Sequence, residues 1–453
     1  MGVTHDLARF STQLSFESLP PKVVEKVKLH FMDGMGVAAA GAAHDGGRII
    51  AKVIESMRGA SESTVIGCGF QASATDASLV NGTFAHLLDF DDVGGFSHNN
   101  GVLTATILAL GEKLRVPGRL AITAYAGGFE AASHLRRAGQ VRISERAFHL
   151  TPVFGTIAAT IASCKLLGLD QRQTQMALGI AGSEASGLGG NRGTMTKGLH
   201  AGLAARNGIL AALLSKEGFT GADDIIERPT GFAHAFMAER DARDQVASLG
   251  KEWHLLTDLS IKKYPCGYLS HGFIDLIFSL MNANSLVGDQ IDEVELGGVT
   301  YDSPVMFYRH PTSDMEARFS LPFIAAAAIA NGTVDHGTFS SRTLSDAKVK
   351  QAQEKIRVNV HSKWDHAPER YTVAIRTRNG SRLTAAINRS EIKGSAKDPL
   401  SWEEVEAKYR TNGSMALPQR QVNASLKIFK TLEKLPDLRR LGAAVRGQEA
   451  AGA

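Results

Sequence analysis

A short acidic stretch in the first quarter of the chain carries the residue types of a catalytic or metal-binding site. The sequence AHLLDFDDVGGFSHNNG, residues 85–101, holds three carboxylates in four positions between two histidines. These residues are Asp89, Asp91 and Asp92, framed by His86 and His98. Acids and histidines this close suit a metal site, an acid–base centre, or a polar loop whose aspartates cap helices while a histidine packs in the core. The stretch alone leaves function and structure equally open.

A second stretch, ASGLGGNRGTMTKGLHAGLAARNG, combines glycines with a basic pair. Five glycines between positions 187 and 198 let the backbone approach a ligand closely, and Lys197 and His200 stand at the start of a predicted helix. Backbone N–H groups and the positive helix end form an anion site, to which Lys197 adds a charge. The phosphate-loop pattern is not matched, because Lys197 precedes Gly198, and no strand precedes the glycines as in a dinucleotide site. We therefore favour carboxylate binding over a plain helix connection.

A histidine shortly before or at the start of a predicted helix recurs in two further stretches. In RAFHLTPVFG, His149 stands two residues before Thr151, the expected helix cap. In IKKYPCGYLSHGFID, His271 follows Lys263 and Cys266. Such histidines can donate to an anion or move a proton, although each by itself is more often structural. We interpret Cys266 as structural rather than nucleophilic, because no paired base can be named.

The stretch YDSPVMFYRHPTSDMEARFS offers further polar groups. We expect Tyr308 to lie in a loop that faces a cleft and Arg318 to be buried against Glu316. Like the preceding two stretches, this one contributes cations and hydrogen-bond donors. The predicted ligand is therefore an anion.

An anion site changes the roles expected within the acidic stretch. In an enzyme that binds an anion, the acidic stretch is better interpreted as part of an acid–base centre than as a set of three metal ligands. We predict that His98 transfers protons and that Asp89 is its partner. Asp91 and Asp92 are expected to terminate a helix and anchor a loop, and His86 to pack in the core.

The composition limits the class of protein. A chain of 453 residues is too long for one ordinary core, so two domains are expected. The net charge of +4 is spread thinly, which argues against binding to nucleic acid. Three scattered cysteines favour neither disulfides, nor a zinc site, nor an iron–sulfur cluster. Since neither a signal peptide nor a long apolar run is present, we expect a cytoplasmic protein with no membrane partner.

Residues 1–257 are predicted to form an all-helical bundle. Apolar residues recur at helical spacing, and abundant alanine and glycine allow close helix packing. The clearest predicted helices cover 22–42, 77–88, 101–114 and 151–169. Residues 400–440 are predicted to complete the bundle, with a capping box at Ser401 and Glu404. Residues 441–453 are predicted to form a disordered tail.

Residues 258–399 are predicted to form a smaller α+β domain, so the fold class is mainly α with an α+β second domain. Alternating apolar and polar residues indicate strands, and an Asn-Gly pair at 379–380 indicates a hairpin. The predicted strands cover 290–301, 354–362, 371–380 and 381–389, and the helices 271–283, 318–332 and 344–355. A cleft between the two domains is the expected place for a small-molecule site.

Four motifs in this order make the sequence resemble the MmgE/PrpD family over about residues 5 to 435. The motifs are VNGTFAHLLDFDDV, GTMTKGLHAGLAARNGILAALLSKEGFTG, KKYPCGYLSHGFID and EARFSLPF. The family includes dehydratases, decarboxylases and epimerases of small carboxylates. The resemblance implies a large all-helical domain with a smaller α+β lid domain, a homodimer, and no required metal or organic cofactor.

The resemblance also implies which residues form the site. It assigns catalysis to His98, Asp89, His149 and Lys197, and substrate binding to Thr196, His200, Lys263, His271 and Tyr308. The sequence departs from the family at Asn99, where many members have proline, and at Gly267, where some have histidine. Some decarboxylase-type members have threonine in place of Val93. These differences remove polar groups that could contact a substrate, and they weigh against a decarboxylase of the cis-aconitate type without excluding it.

The reactions of this family share the transfer of a proton at a carbon next to a carboxylate, which needs positive charge where negative charge develops. The leading hypothesis is a cofactor-independent lyase that dehydrates a small di- or tricarboxylate. An epimerase or racemase, and a decarboxylase of the cis-aconitate type, are the alternatives. Two rivals come from other classes: a metal-dependent enzyme with Asp89, Asp91 and Asp92 as ligands, and a non-catalytic carboxylate-binding protein.

Overall fold

The chain folds around two hydrophobic cores. The computed structural model describes residues 2–137, 147–237, 242–300, 303–306, 308–361 and 369–448. The larger core draws its buried apolar side chains from residues 3–261 and again from 400–445. The smaller core draws its side chains from residues 264–392. The fold is therefore mainly helical with an α+β second part, as the sequence predicted.

The helices account for most of the described chain. In chain order they are α1 (Val3–Gln13), α2 (Pro21–Ala42), α3 (Asp45–Ser56), α4 (Ala74–Leu87), α5 (Asn100–Leu114), α6 (Gly118–Arg137), α7 (Leu150–Leu167), α8 (Gln171–Glu184), α9 (Met195–Lys216), α10 (Phe232–Phe236), α11 (Arg243–Val246), α12 (His254–Thr257), α13 (His271–Ala283), α14 (Asp314–Ala317), α15 (Leu321–Asn331), α16 (Ser341–Ser345), α17 (Ala347–Glu354), α18 (Trp402–Gly413), α19 (Gln419–Lys430) and α20 (Arg439–Val445). The strands are β1 (Ser63–Thr64), β2 (Gln71–Ala72), β3 (Val93–Gly94), β4 (Leu259–Ser260), β5 (Ile291–Thr300), β6 (Ile356–His361), β7 (Arg370–Thr377) and β8 (Arg382–Asn388).

Small residues let the central helices approach one another closely. Helix α4 packs along α9, and α7 packs along both α9 and α6. A Cβ atom added to Gly82 of α4 would lie 2.8 Å from the Cα atom of Gly202 in α9, so neither position has room for a larger residue. This contact fixes α4 against α9, and five of the nine predicted site residues lie in the loop before α5 or in the first two turns of α9.

The smaller core lies between a four-stranded sheet and helices α13 and α15. The strand order is β6-β5-β7-β8, with β5 parallel to β6 and the other neighbours antiparallel. The Asn-Gly hairpin is confirmed, since β7 and β8 are joined through Gly380, which has the positive φ of 89° that glycine tolerates. Buried and exposed side chains alternate along β7, as the period of two predicts.

Three expectations about the helical part are corrected. Helix α7 begins at Leu150 with His149 as its cap residue, so Thr151 lies inside the first turn. The first part of the chain is not purely helical, because β1 pairs with β2, and β3 pairs with β4. The start predicted for the disordered tail, residue 441, is wrong, because α20 runs to Val445 and buries Leu441 in the larger core. Residues 449–453 of that tail lie outside the described residues.

Helix α7 is long and apolar enough, by length and composition, to cross a membrane. It is the only such helix among the described residues, and 83% of its length is buried inside the protein. Core helices of globular proteins pass the same test, and α7 packs between α6 and α9 in this way.

The returning helix α18 is joined to α2 by a buried ion pair and to the acidic stretch by a hydrogen bond. Lys408 Nζ lies 2.7 Å from Asp33 Oδ1 of α2 and donates to the backbone oxygen of Phe90 at 2.9 Å. We expect Lys408→Ala to lower the free energy of unfolding by about 3 to 5 kcal/mol, because it leaves the buried Asp33 carboxylate unpaired. The neighbouring exposed pair between Arg410 and Glu406 offers a matched control, and Arg410→Ala should cost about 1 kcal/mol or less. Urea unfolding of both variants measures the difference, and equal losses would contradict the buried role of Lys408.

Candidate active site

The acidic stretch forms the connection between α4 and α5. Helix α4 ends at Leu87, and Asp89 follows with a φ of 50°, a left-handed conformation that a non-glycine residue adopts only when its surroundings hold it there. The backbone oxygen of Leu88 accepts a hydrogen bond from the buried guanidinium of Arg318 at 3.0 Å. The turn therefore projects the Asp89 side chain into the protein, where it is 2% exposed.

Two buried lysines hold the Asp89 carboxylate. Lys197, in the first turn of α9, pairs with Oδ1. Lys262 donates to Oδ2 and to the backbone oxygen of Asp89, each at 2.7 Å. Burial alone would raise the pKa of Asp89, but the two lysines outweigh burial and hold that pKa well below its ordinary value. Burial also lowers the pKa of Lys197 from its ordinary value, which makes this ammonium group a better proton donor than an exposed lysine.

Asp91 connects two histidines. Its Oδ2 lies 2.7 Å from His86 Nδ1, and its Oδ1 lies 3.3 Å from His98 Nδ1. Burial lowers the pKa of His86 to about 3, so the ring is neutral and donates its Nδ1–H to the carboxylate. His98 Nδ1 also lies 2.8 Å from the backbone oxygen of Asp92, which can only accept. A neutral His98 ring therefore carries its proton on Nδ1 and leaves Nε2 as a base.

Asp92 anchors the start of α5. Its Oδ1 accepts the backbone N–H groups of Asn99 and Asn100 at 2.6 and 3.0 Å, and its Oδ2 lies 3.1 Å from His30 Nδ1. The Asn100 side chain in turn donates to Asp33 at 2.8 Å. The two asparagines that follow His98 are thus part of the support behind the loop, and they fix the backbone from which His98 projects.

The pH dependence of stability should report the buried state of Asp92. Burial raises its pKa from 3.8 to about 7 against the opposing hydrogen bonds from Asn100 and Asn99. A carboxyl with a raised pKa in the folded state contributes stability below pH 3.8, and this contribution is lost as the pH rises towards 7. Because asparagine does not ionise, Asp92→Asn does not lose stability in this way as the pH rises. Its unfolding free energy relative to the wild type should therefore rise between pH 5 and pH 8 in urea titrations. A difference that stays constant over this range would contradict the assignment.

His149 and His200 form a second histidine pair beside the first. Their Nδ1 atoms lie 2.9 Å apart, and His149 Nε2 lies 3.3 Å from the hydroxyl of Thr151. The ring of His149 stacks on that of His86, with the ring centroids 5.7 Å apart, and its centroid lies 6.5 Å from that of the His98 ring. Burial lowers the pKa of His149 well below its ordinary value and that of His200 to about 4, so both rings are neutral near pH 7.

The structure brings together the four residues predicted to be catalytic and one of those predicted to bind substrate. Lys197 binds Asp89, the rings of His98 and His149 are neighbours, and His200 pairs with His149. The resulting group combines two ionised carboxylates, of Asp89 and Asp91, with two ammonium groups and four imidazoles. It can both remove and deliver a proton, and it places positive charge where an anion would bind.

The other residues predicted to bind substrate lie at or beyond the edge of this group. Thr196 is exposed on the first turn of α9. Lys263 is 41% exposed and pairs with Asp275 at 2.7 Å. His271 is fully buried beside Cys266, whose backbone oxygen lies 3.3 Å from its Nε2. Tyr308, which lies beside Gly193, donates its hydroxyl to the backbone oxygen of Arg192 at 2.7 Å and so holds the glycine-rich loop. The lysine and the threonine are therefore not brought to the centre.

Several predicted roles are corrected. The carboxylate beside His98 belongs to Asp91, whereas Asp89 is paired with lysines. Asp91 and His86 are therefore part of the central group and not merely a helix terminator and a core histidine. Arg318 is buried, but it donates to the backbone oxygens of Leu88 and Pro265, and Glu316 accepts from Thr312 instead.

Sequence reasoning missed Lys262, which precedes Lys263 in the pair KK. Lys262 is 1% exposed and is bound to Asp89, whereas its neighbour points to the surface. The sequence held no signal for this, since Ile261 and Lys262 are adjacent and both buried, and an alternation of neighbouring side chains would have turned Lys263 inwards instead. The structural interpretation of Cys266 agrees with its surroundings, because burial raises the pKa of its thiol far above the ordinary value.

The three carboxylates considered as metal ligands have separate partners. Asp89 binds lysines, Asp91 binds histidines, and Asp92 binds the start of α5. Within the described residues, one group could hold a metal ion, since His86, Asp91 and His98 each offer a ligand atom within 4.8 Å of the others. In that group the two Nδ1 atoms lie within hydrogen-bond distance of oxygen acceptors, so the arrangement already satisfies its donors without an ion.

Comparison with known proteins places this site in a family. Residues 5–245 match the MmgE/PrpD N-terminal domain and residues 264–434 match the MmgE/PrpD C-terminal domain. Similar proteins include cis-aconitate decarboxylase of Homo sapiens, 27% identical over 98% of this chain and 95% of the human protein. The Mus musculus protein of that name is 27% identical over 98% of this chain and 94% of its own. The Aspergillus terreus protein of that name is 25% identical over 96% and 94%. The chain belongs to the MmgE/PrpD family and is an enzyme of that type.

Proposed function

We propose that the protein is a cofactor-independent lyase that acts on a small di- or tricarboxylate, with decarboxylation of an aconitate-like substrate as its first candidate reaction. One observation carries the proposal: the ionised Asp89 is held by Lys197 and Lys262 directly beside a group of neutral histidines. Such a group supplies a proton donor, a base and a positive field without a bound cofactor.

The roles follow from the hydrogen bonds. The base is His98 Nε2, because Asp91 and the Asp92 backbone hold the proton of a neutral ring on Nδ1. The acid is Lys197, whose pKa burial lowers. The pair of His149 and His200 offers a further nitrogen for hydrogen bonding to a substrate carboxylate.

Decarboxylation would proceed by simple bond changes. The bond between the substrate carbon and its carboxylate breaks, carbon dioxide leaves, and the electron pair stays on the allylic carbon. A proton from the acid then forms the new carbon–hydrogen bond. The positive charges of Lys197 and Lys262 stabilise the developing carbanion. The relatives named cis-aconitate decarboxylase, which match along almost the whole chain, support this reaction as the first to test.

Dehydration of a hydroxy-tricarboxylate is the second candidate. Val93, in β3, is an apolar residue where some decarboxylase-type members of the family have threonine, so part of the loop next to the site differs from theirs. The same base would remove a proton next to a carboxylate, and the same acid would protonate the departing hydroxyl.

One experiment separates these reactions. The protein is incubated in heavy water with cis-aconitate, citrate, 2-methylcitrate or iminodisuccinate, and the products are followed by NMR, with Lys197→Ala, which lacks the proposed acid, as the control for contaminating enzymes. We expect loss of carbon dioxide from cis-aconitate with deuterium in the product. New alkene signals from citrate or 2-methylcitrate would establish dehydration instead. Deuterium at the alpha carbon of iminodisuccinate alone would establish epimerisation. No change with any substrate would refute the proposal, and activity lost in EDTA would refute its cofactor independence.

We also propose a homodimer, as the family resemblance implies. Helix α3 and the cap residue that follows it carry an exposed apolar stripe at a spacing of four residues, with Ile49 57%, Val53 47% and Met57 62% exposed. Exposed apolar stripes of this kind support an interface with a second copy. Light scattering after size-exclusion chromatography should give twice the 48.4 kDa of one chain, and a single-chain mass would refute the dimer.

A further inference from the structure

A cavity lies beside the loop between α4 and α5, and none of the four histidines of the candidate active site lines it. It has a volume of about 320 Å³ and is lined by Gly94, Gly95, Ser133, Arg136, Arg137 and Asp258. None of these six residues belongs to the candidate active site. The cavity lies between the end of α6, which carries the serine and both arginines, and the ladder of β3 with β4.

Two buried donors in the cavity lining lack partners. Ser133 is 4% exposed, and its hydroxyl has no hydrogen-bond partner among the described residues. The buried Nε atom of Arg136 also has no hydrogen-bond partner among the described residues. Buried polar groups are nearly always satisfied, so two such donors in one cavity indicate that something polar binds there. Because both can donate, the missing partner is an acceptor.

The charges around the cavity favour an anion. Arg137 lies 3.1 Å from His254 Nδ1 and 3.4 Å from Asp258 Oδ2, and His254 itself lies 2.9 Å from Asp258. The one carboxylate in the lining is therefore already paired twice. The guanidinium of Arg136 donates to the backbone oxygen of Gly95, which is neutral, so its charge is not compensated by a direct ion pair.

Another carboxyl near this region does not supply the missing acceptor. Glu130, one turn before His134 on α6, accepts the backbone N–H groups of His254 and Leu255, each at 2.9 Å. It thereby holds the start of α12 rather than the arginine. An acceptor for Ser133 and Arg136 must accordingly come from outside the described residues.

We propose that this cavity binds a small oxyanion, a carboxylate or a phosphate, through Ser133 Oγ and Arg136, and that the bound anion fixes the loop that carries His98. The connection is short. A Cβ on Gly95 would lie 2.9 Å from Ser133 Oγ, and the N–H of Gly95 donates to the Asp258 backbone oxygen at 2.9 Å. Three residues further along the chain stands His98. An anion at this point bridges α6 to the loop that carries His98.

Calorimetric titration tests the site with two probes, inorganic phosphate and malonate, at constant ionic strength. We expect one equivalent to bind to Lys197→Ala, because the cavity does not contain that lysine, and the wild type to bind this equivalent as well. A second equivalent of malonate that binds only to the wild type belongs to the active site. Ser133→Ala should weaken binding in the cavity at least about tenfold, and it should fold normally because the hydroxyl has no partner to lose. Arg136→Gln should abolish it. Tighter binding of one probe identifies the anion as a phosphate or a carboxylate.

Other outcomes would overturn the proposal. Unchanged affinity in Ser133→Ala would exclude the serine, and binding lost in Lys197→Ala alone would place the anion in the active site. No binding of either probe to the wild type would mean that the cavity holds water. Hydrogen exchange gives an independent check, since phosphate or malonate should slow exchange in a peptide spanning residues 92–99 of the wild type but not of Ser133→Ala. The test measures binding, so its result does not depend on which reaction the enzyme catalyses.

Discussion

Lys197→Ala should lower kcat at least about a hundredfold, the loss typical for one donor that stabilises charge in a transition state. Lys197 is buried at the start of α9 and pairs with Asp89, so its ammonium group combines its own charge with that of the helix end. Removing it deletes the proposed acid and exposes the Asp89 carboxylate to the substrate anion. Both effects act most strongly when negative charge develops, so kcat should fall more than KM rises.

The control for this variant is Lys263→Ala. Lys263 is also a lysine near the domain boundary, but it is 41% exposed and pairs with Asp275. Its loss should leave kcat within about twofold of the wild type. Thermal unfolding must accompany both assays, because Asp89 in Lys197→Ala retains only Lys262 as a partner. A folded Lys197→Ala enzyme with nearly wild-type kcat would remove this lysine from the mechanism.

The difference between these lysines shows what the sequence can predict about the site. The glycine-rich loop before α9 and the acidic loop before α5 identified Lys197 and Asp89, because local patterns reveal a helix start. The role of Lys262 depends on the direction in which one of two adjacent side chains points after β4. That direction is set by packing against the acidic loop, which is 173 residues away in the chain.

The same limit separates Asp89 from Asp91. Spacing alone places both within reach of His98, and the sequence favoured the first. The left-handed φ of 50° at Asp89 turns its side chain towards the lysines and leaves Asp91 beside the histidines. A non-glycine residue in this conformation has no clear signal in the sequence, because long-range contacts hold it there.

The fold was more predictable than the site because its signals are local and repeated. The predicted helix at 271–283 coincides with α13, and the strands around the Asn-Gly hairpin agree with β7 and β8 to within three residues. Errors occurred where a local signal competed with packing. Thr151 looked like a helix cap, but the helix extends to Leu150 because His149 and the loop residue Gly187 form a backbone hydrogen bond at 3.0 Å.

In a reaction that begins with proton abstraction, as dehydration does, His98→Gln should lower kcat by about a hundredfold to ten-thousandfold, the usual contribution of a general base. Glutamine keeps a side-chain N–H that can donate to the Asp92 backbone oxygen, which now accepts from His98 Nδ1 at 2.8 Å. It lacks a basic nitrogen in the place of Nε2. The variant therefore removes proton transfer while keeping much of the support for the loop, and any pH dependence of kcat that comes from this base should disappear with it.

Asp91→Asn tests the arrangement behind the base. Its amide can still approach His86 and His98, which now lie 2.7 and 3.3 Å from the carboxylate oxygens, but it no longer stabilises a positively charged ring. The loss in kcat should be smaller than in His98→Gln, because the ring that carries the basic nitrogen is still present. His310→Gln, a change to an exposed histidine, should alter neither kcat nor its pH dependence. If His98→Gln and His310→Gln were equally active, proton transfer would have to be assigned to another of the buried rings.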